Sequence, residues 1–303
     1  MSVCTPIPAS FRARAWFCHP GIFRRAIGGF LALSALVLHQ RAAYADDAVV
    51  QTPQTRAELS AERRVTAPGE SLWVALSIDL KPGWHTYWRT PGDAGEPIII
   101  RWKLPAGVVA GPIQWPTPER FAFSGITGFG YTGHVTLLTE LKIAASIALT
   151  EILIKADGAW LVCSEICVPE DGSFGLPIEI DPLQRNIVAN AVFTAARDAV
   201  PRPAPWPLNA TVSGNTLILA AGPGINEHAL KSVMYFPYDG NLIANGATQE
   251  FRLQHGTLQL KVALSPDASK RGEAAGVLRF DKKNSPVPTG YSFAAPILWD
   301  AGK

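Results

Sequence analysis

The sequence predicts an all-β protein: two antiparallel β-sandwich domains joined by a short helix and a proline-rich linker. Three observations carry this reading. Apolar and polar residues alternate along short segments, as half-buried strands require. Gly and Pro clusters separate those segments, which is the turn punctuation of a sandwich. One stretch, 183–205, breaks the alternation with helical spacing and then "PRPAP". At 303 residues and 48% hydrophobic composition, the chain has room for two domains of ordinary size.

The first 45 residues read as a secretory signal peptide. Arg12, Arg14, Arg24 and Arg25 form a basic region, Ala26–Leu38 is a 13-residue apolar run, and Ala43-Tyr44-Ala45 is a small-x-small cleavage site. The alternative, an uncleaved anchor, is disfavoured because a bilayer span needs about 20 helical residues. Cleavage before Asp46 removes Cys4 and Cys18 and leaves Cys163 and Cys167. It also removes five arginines and no acid, taking the net charge from +2 to −3. No basic surface for nucleic acid or anionic lipid is then expected. No later segment has 18 consecutive apolar residues, so no membrane insertion of the mature chain is expected. The compartment implied is an oxidising one, a bacterial periplasm.

Residues 46–182 form the first expected sandwich. In "SLWVALSIDL" the residues Leu72, Val74, Leu76, Ile78 and Leu80 share one face, and "KPG" turns the chain. "EPIIIRWKL", "HVTLLTELKI" and "TEILIKA" follow as strands, and Asp157-Gly158 reads as a turn before "AWLVC". In 183–205, Ile187, Ala191, Phe193 and Ala196 sit at roughly helical spacing before the prolines end the helix and stiffen the connection. Residues 206–303 form the second sandwich, with strands in "NATVSGNTLILAA", "SVMYFPYDGNLI", "QEFRLQHGTLQLKVAL" and "AGVLRF". Its turns are "SGN", "DGN" and "HG".

The chemistry-bearing stretch is "AWLVCSEICVPEDG". If Ser164-Glu165-Ile166 were extended, the cysteine Cα atoms would lie roughly 13 Å apart, beyond the roughly 7 Å limit for a disulfide. A three-residue hairpin loop would instead set Cys163 and Cys167 opposite each other at about 4.5–5.5 Å, and a helical turn would also bring them close; Pro169 and the apolar run before Cys163 favour the hairpin or a tight loop. Three readings stay open. A structural staple gains little, about 2 kcal/mol, from closing so short a loop. A metal site has only two thiolates, with His85, His134, His228 and His255 scattered singly and Met234 alone, so no metal and no other cofactor is expected. A redox pair fits two close thiols, one to attack a partner's disulfide and one to resolve the product. The spacing is not C-x-x-C and no thioredoxin-like βαβ pattern surrounds it, so a partner would have to supply the electrons.

The stretches "GWHTYWRTPGDAGEP", "FGYTGHVTLL" and "DGAWLVCSEICVPE" together resemble the periplasmic N-terminal domain of DsbD-type thiol:disulfide interchange proteins, in particular the ScsB-like branch. The resemblance implies an immunoglobulin-like sandwich whose pair, Cys163 and Cys167, shuttles electrons. They come from a DsbD/ScsB-type membrane protein through a thioredoxin-like domain and pass to periplasmic disulfide oxidoreductases, a protein-disulfide reductase type of activity that also serves cytochrome c biogenesis. It further implies an aromatic cap loop. "PERFAFSGITGFGY" occupies that place, so Phe121 or Phe123 would be the cap, a lid over the pair, with Glu119 beside it. Tyr87 and His85 match positions near the cysteines. The cysteines here are closer together than in the best-known members. The sequence as it stands carries neither membrane nor thioredoxin-like domain, so a stand-alone receiver dependent on another protein, or a domain that has lost the relay, is expected.

Each neighbour also has a plainer reading. Phe121, Phe123, Phe129 and Tyr131 suit a core, as do Trp84, Trp88 and Trp160. His85 suits a strand, and Asp93 in "PGDAGEP" suits a turn. The function expected is a periplasmic thiol–disulfide relay whose second domain positions or recognises a partner. The alternatives are a non-catalytic binding module with a permanent bridge, or a copper-stress-related protein.

Overall fold

The computed structural model describes residues 47–123, 125–183, 190–226, 230–268 and 272–300. The signal-peptide expectation, with Cys4, Cys18 and the cleavage site, lies outside these residues, as do Ile187 and His228. No helix among the described residues is long and apolar enough to cross a membrane.

The chain before the helix forms two facing sheets. In chain order the strands are β1 (Val49–Gln51), β2 (Thr55–Ala61), β3 (Val65–Thr66), β4 (Ser71–Leu80), β5 (His85–Gly92), β6 (Ile99–Lys103), β7 (Val108–Ala110), β8 (Glu119–Phe123), β9 (Ile126–Thr132), β10 (His134–Ile143), β11 (Glu151–Cys163) and β12 (Cys167–Ile180). One sheet has the order β1-β2-β4-β10-β7. The other runs β3-β12-β11-β5-β9-β8, with β6 also on β11. The period-2 alternation read from β4 holds: Leu72, Val74, Leu76, Ile78 and Leu80 are all buried and face the second sheet.

The Asp157-Gly158 turn does not form. Strand β11 runs unbroken through it, because β12 pairs along its whole length and β6 pairs its other edge at Lys155–Ala159. Asp157 bonds Lys103 and Ser173 across the strands. A Cβ at Gly158 would come within 3.1 Å of the Trp160 ring and 3.3 Å of Phe174, so the glycine makes room for aromatics inside a strand.

Helix α1 (Ala191–Ala199) is capped by Asn190, whose side chain accepts from Val192 N. It covers the outer face of the first sheet: Phe193 and Ala196 pack on Trp73, Ala75 and Leu138. Arg197 pairs with Glu62 at 2.7 and 2.9 Å. The proline-rich stretch then contributes a short strand, β13 (Arg202–Pro203).

The remaining strands are β14 (Leu208–Ser213), β15 (Thr216–Ala221), β16 (Leu230–Pro237), β17 (Glu250–Gln254), β18 (Thr257–Ala263), β19 (Glu273–Lys282) and β20 (Ser285–Trp299). Their order is β16-β19-β20-β14-β15-β18-β17, with β13 on β20. Besides β13, strand β20 serves two neighbours: its earlier residues pair β19 antiparallel, and Ile297–Trp299 pair β14 in parallel. The sheet thereby folds on itself and encloses its own core, Leu217, Leu219 and Leu260 against Tyr235, Leu278 and Phe280. Pairing is antiparallel except at β3–β12, β13–β20 and β14–β20. The "HG" turn is real: His255 and Gly256 take φ of 52° and 71°, as a tight hairpin requires.

The two sandwiches share an apolar contact. Phe236 packs edge-on against Phe129 at 5.0 Å and against Trp88 at 6.2 Å between ring centroids. The Arg89 guanidinium lies 4.3 Å over the Tyr238 ring.

Candidate redox site

One face of the β12-β11-β5-β9-β8 sheet carries the site. Residues directly opposite each other in a ladder point to the same face, and faces alternate along each strand. The register runs from Cys167 to Cys163 across β12 and β11, from Cys163 to His85 across β11 and β5, and from His85 to Thr132 across β5 and β9. These four form one row. Tyr87 opposes Gly130, which opposes Glu119, and Gly128 opposes Phe121. The intervening residues Thr86, Trp88, Phe129, Tyr131, Trp160 and Val162 point the other way and are all buried.

The cysteines close the long hairpin. Ser164 N donates to Ile166 O at 3.0 Å within the loop, and Cys163 and Cys167 form a disulfide with Cα atoms 4.1 Å apart. The two halves of the bridge differ. Cys163 is 0% exposed, whereas Cys167 is exposed and its neighbour Ile166 is 65% exposed. The Tyr87 hydroxyl donates to Cys163 Sγ at 3.1 Å and lies 4.0 Å from Cys167 Sγ. Burial raises the Tyr87 phenol above its ordinary value, so it keeps its proton and stays a donor. Its ring needs Gly95, at φ +111°, because a Cβ there would fall inside the ring.

His85 stands beside Cys163 and is 6% exposed. Its ring centroid is 4.1 Å from that of Phe121, 4.9 Å from Phe123 and, edge-on, 5.5 Å from Tyr87. The Phe121 ring reaches across β9 because Gly128 and Gly130 present no side chain on that face; a Cβ at Gly128 would collide with it. Nε2 of His85 is buried without a hydrogen-bond partner. Burial lowers its pKa to about 4, so the ring is neutral at ordinary pH. Glu119 accepts from Thr132, two strands beyond Cys163.

The aromatic residues thus divide. Phe129 and Tyr131 are core. Phe121 and Phe123 are half-buried and lie on His85, one strand from Cys163 and two from Cys167. The lid expected over the pair therefore leaves Cys167 open. Trp88 and Trp160 are core, and Trp84 is partly buried against it. Asp93 holds a turn: its carboxylate accepts from Thr127 N at 2.9 Å and from Asn245 Nδ2 at 3.0 Å.

Sequence reasoning missed Glu170. It is 5% exposed, and its carboxylate accepts from Thr52 Oγ1 at 2.6 Å, Gln54 N at 2.8 Å, Thr55 Oγ1 at 2.8 Å and Trp160 Nε1 at 3.4 Å. Four donors replace the water a buried charge loses, and they fix β12 three residues beyond Cys167. The signal available was a lone Glu opposite Trp160 in the hairpin register.

The disulfide thus sits across the tip of a long hairpin, with one sulfur buried against a tyrosine and the other residue open. Residues 54–177 match the family model described as "Thiol:disulfide interchange protein DsbD, N-terminal", and the first sandwich is a domain of that type. Among solved structures, the chain is similar to the N-terminal periplasmic domain of ScsB from Proteus mirabilis, at 20% identity and a TM-score of 0.59, covering 82% of this chain and 98% of that one. At that identity the likeness is one of fold. The GAE domain of yeast GGA1 (11% identity, 43% and 98% coverage, TM-score 0.25) and the E. coli chaperone DraB (9%, 78% and 95%, 0.23) match too loosely to carry an argument. No curated protein sequence matches the chain.

Proposed function

We propose that this chain is a periplasmic thiol–disulfide relay. It takes electrons from a thioredoxin-like domain fed by a DsbD/ScsB-type membrane protein and passes them to periplasmic disulfide oxidoreductases. The observation that carries the reading is the asymmetry of the bridge: an open Cys167 bonded to a buried Cys163 whose sulfur already accepts the Tyr87 O–H.

The asymmetry assigns roles. A reduced partner's thiolate attacks Cys167 Sγ in line with the S–S bond. That bond breaks, its electron pair leaves on Cys163 Sγ, and a mixed disulfide joins the partner to Cys167. Tyr87 is placed to stabilise the Cys163 thiolate, and charge-assisted hydrogen bonds are the strong ones. The partner's second thiolate then attacks its own sulfur in the mixed disulfide and releases Cys167 as a thiolate. The partner ends as a disulfide; this chain has gained two electrons and, from water, two protons. Onward transfer reverses the sequence: Cys167 attacks the acceptor's disulfide and Cys163 resolves the product.

Single-cysteine variants test this in periplasmic extracts. Cys163→Ala leaves the open thiol without its resolving partner and is expected to accumulate a covalent complex with a thioredoxin-like protein, releasable by reductant. Cys167→Ala is expected to trap far less. If neither variant traps a thiol-linked protein, the relay is wrong.

A further inference from the structure

Within its own sandwich the hairpin that carries the two phenylalanines is anchored through β9, whose Phe129 and Tyr131 are core, while β8 has little hold of its own. Strand β8 ends the sheet and pairs only β9, and β9 pairs β5 regularly only over His85–Tyr87 before the register shifts towards Gly92. An edge strand held by one neighbour is the part of a sheet that opens most readily.

The second sandwich supports β8 and the turns beside it at three points. Arg279 Nη1, on β19, donates to Pro118 O at 2.9 Å, just before β8 begins. Arg120 Nη1, one residue before Phe121, donates to Ala247 O at 3.0 Å. Asn245 Nδ2 donates to Asp93, whose other carboxylate oxygen accepts the Thr127 N–H of β9 at 2.9 Å. Asn245 is buried, and the backbone at Gly246 sits so close that a Cβ there would lie 3.0 Å from Thr127 Oγ1. All three are directional polar contacts, so they fix the hairpin's position as well as its burial.

We propose that the second sandwich is the clamp that holds this aromatic hairpin against His85, and that Arg120, Asn245 and Arg279 are positioning residues for exchange. Held down, Phe121 and Phe123 keep the row beside Cys163 covered, so attack is confined to Cys167. Released, β8 lifts from the edge of the sheet with Phe121 and Phe123, and both sulfurs become reachable. The second domain thus sets which cysteine reacts. This inference rests on the exchange reading above.

The test is the alkylation rate of each thiol in the reduced two-sandwich chain, read by peptide mass spectrometry. In the wild type, Cys167 is expected to react fast and Cys163 slowly. Arg120→Ala and Asn245→Ala are each expected to speed Cys163 about three- to tenfold, the effect of losing one anchoring hydrogen bond, and to leave Cys167 unchanged. Arg120→Lys, which keeps a donor for Ala247 O, is expected to restore the slow rate. Lys261→Ala, on the exposed face of β18, is expected to change nothing. If Asn245→Ala fails to fold, the half-buried Arg120 series carries the test. Unchanged Cys163 rates in the alanine variants, with Cys167 still fast, would overturn the clamp and leave the exchange reading standing. An unreactive Cys167 in the wild type would overturn both.

Discussion

The Tyr87 hydroxyl donates to Cys163 Sγ at 3.1 Å, and that sulfur belongs to the fully buried half of the bridge. The residue that partners take hold of and the residue that holds the developing charge are therefore different ones.

Tyr87→Phe keeps the ring over Gly95 and removes only the donor. The Cys163 thiolate then leaves less readily, and reduction by a thioredoxin-like partner is expected to slow about tenfold, at the low end of a charged hydrogen bond of about 1.5–3 kcal/mol. Stopped-flow reduction of the oxidised variant checks this. An unchanged rate would remove Tyr87 from the mechanism.

His85 ties stability to pH. Its folded pKa, about 4, lies below the unfolded value of 6.5, so the unfolded chain binds the extra proton between the two. Stability from this group is full above the unfolded value and is lost as pH falls through that window. Between about pH 7.5 and about pH 5 the loss is about 2 kcal/mol. Urea denaturation of wild type and His85→Phe at both pH values isolates it: the wild type is expected to lose about 2 kcal/mol more than the variant. Equal losses would show that His85 is not buried as a neutral ring.

Glu170→Ala strands the Gln54 N–H and takes one acceptor from Thr52, Thr55 and Trp160, which keep partners among themselves. A loss of about 2–4 kcal/mol is expected. Glu170→Gln, which keeps an acceptor, is expected to cost less. Thermal melts of both variants decide it, and a neutral alanine variant would contradict the anchoring role.

Reduction should leave the fold intact. The disulfide closes only a three-residue loop at the tip of a hairpin already paired from Glu151 to Cys163, so its contribution is expected to be about 2 kcal/mol or less. Circular dichroism with and without reductant is expected to superimpose. Collapse of the signal on reduction would favour a structural staple.

Much of this was legible in the sequence, and particular residues explain what was not. Strand β4 announced itself by alternation, and an extended loop was excluded because it would hold Cys163 and Cys167 too far apart, which left a hairpin or a helical turn. Strand β12 was hidden by Pro169 and Pro177. They are tolerated because residues of their parity point their backbone nitrogens away from β11: Gly175 N reaches Asp47 O and Glu179 N reaches Arg64 O. Strand β20 was hidden by Pro286, Pro288 and Pro296, and with it the way the second sheet folds over. The motif stretches pointed to His85 and Tyr87, and the place of the cap loop to Phe121, but their shared face beside Cys163 depends on the registers of two strand pairs distant in sequence, β11–β5 and β5–β9. The contacts of Arg120, Asn245 and Arg279 run between sandwiches, and no local pattern encodes them.

The central claim is that the Cys163–Cys167 bridge is made to be exchanged. An equilibrium redox titration of the full two-sandwich chain against defined thiol–disulfide buffers tests it most directly. The account predicts a fully reversible transition with a midpoint above about −300 mV, because Tyr87 stabilises the reduced form and Cys167 is open to thiols. A midpoint below about −300 mV, where permanent structural bridges lie, would contradict it.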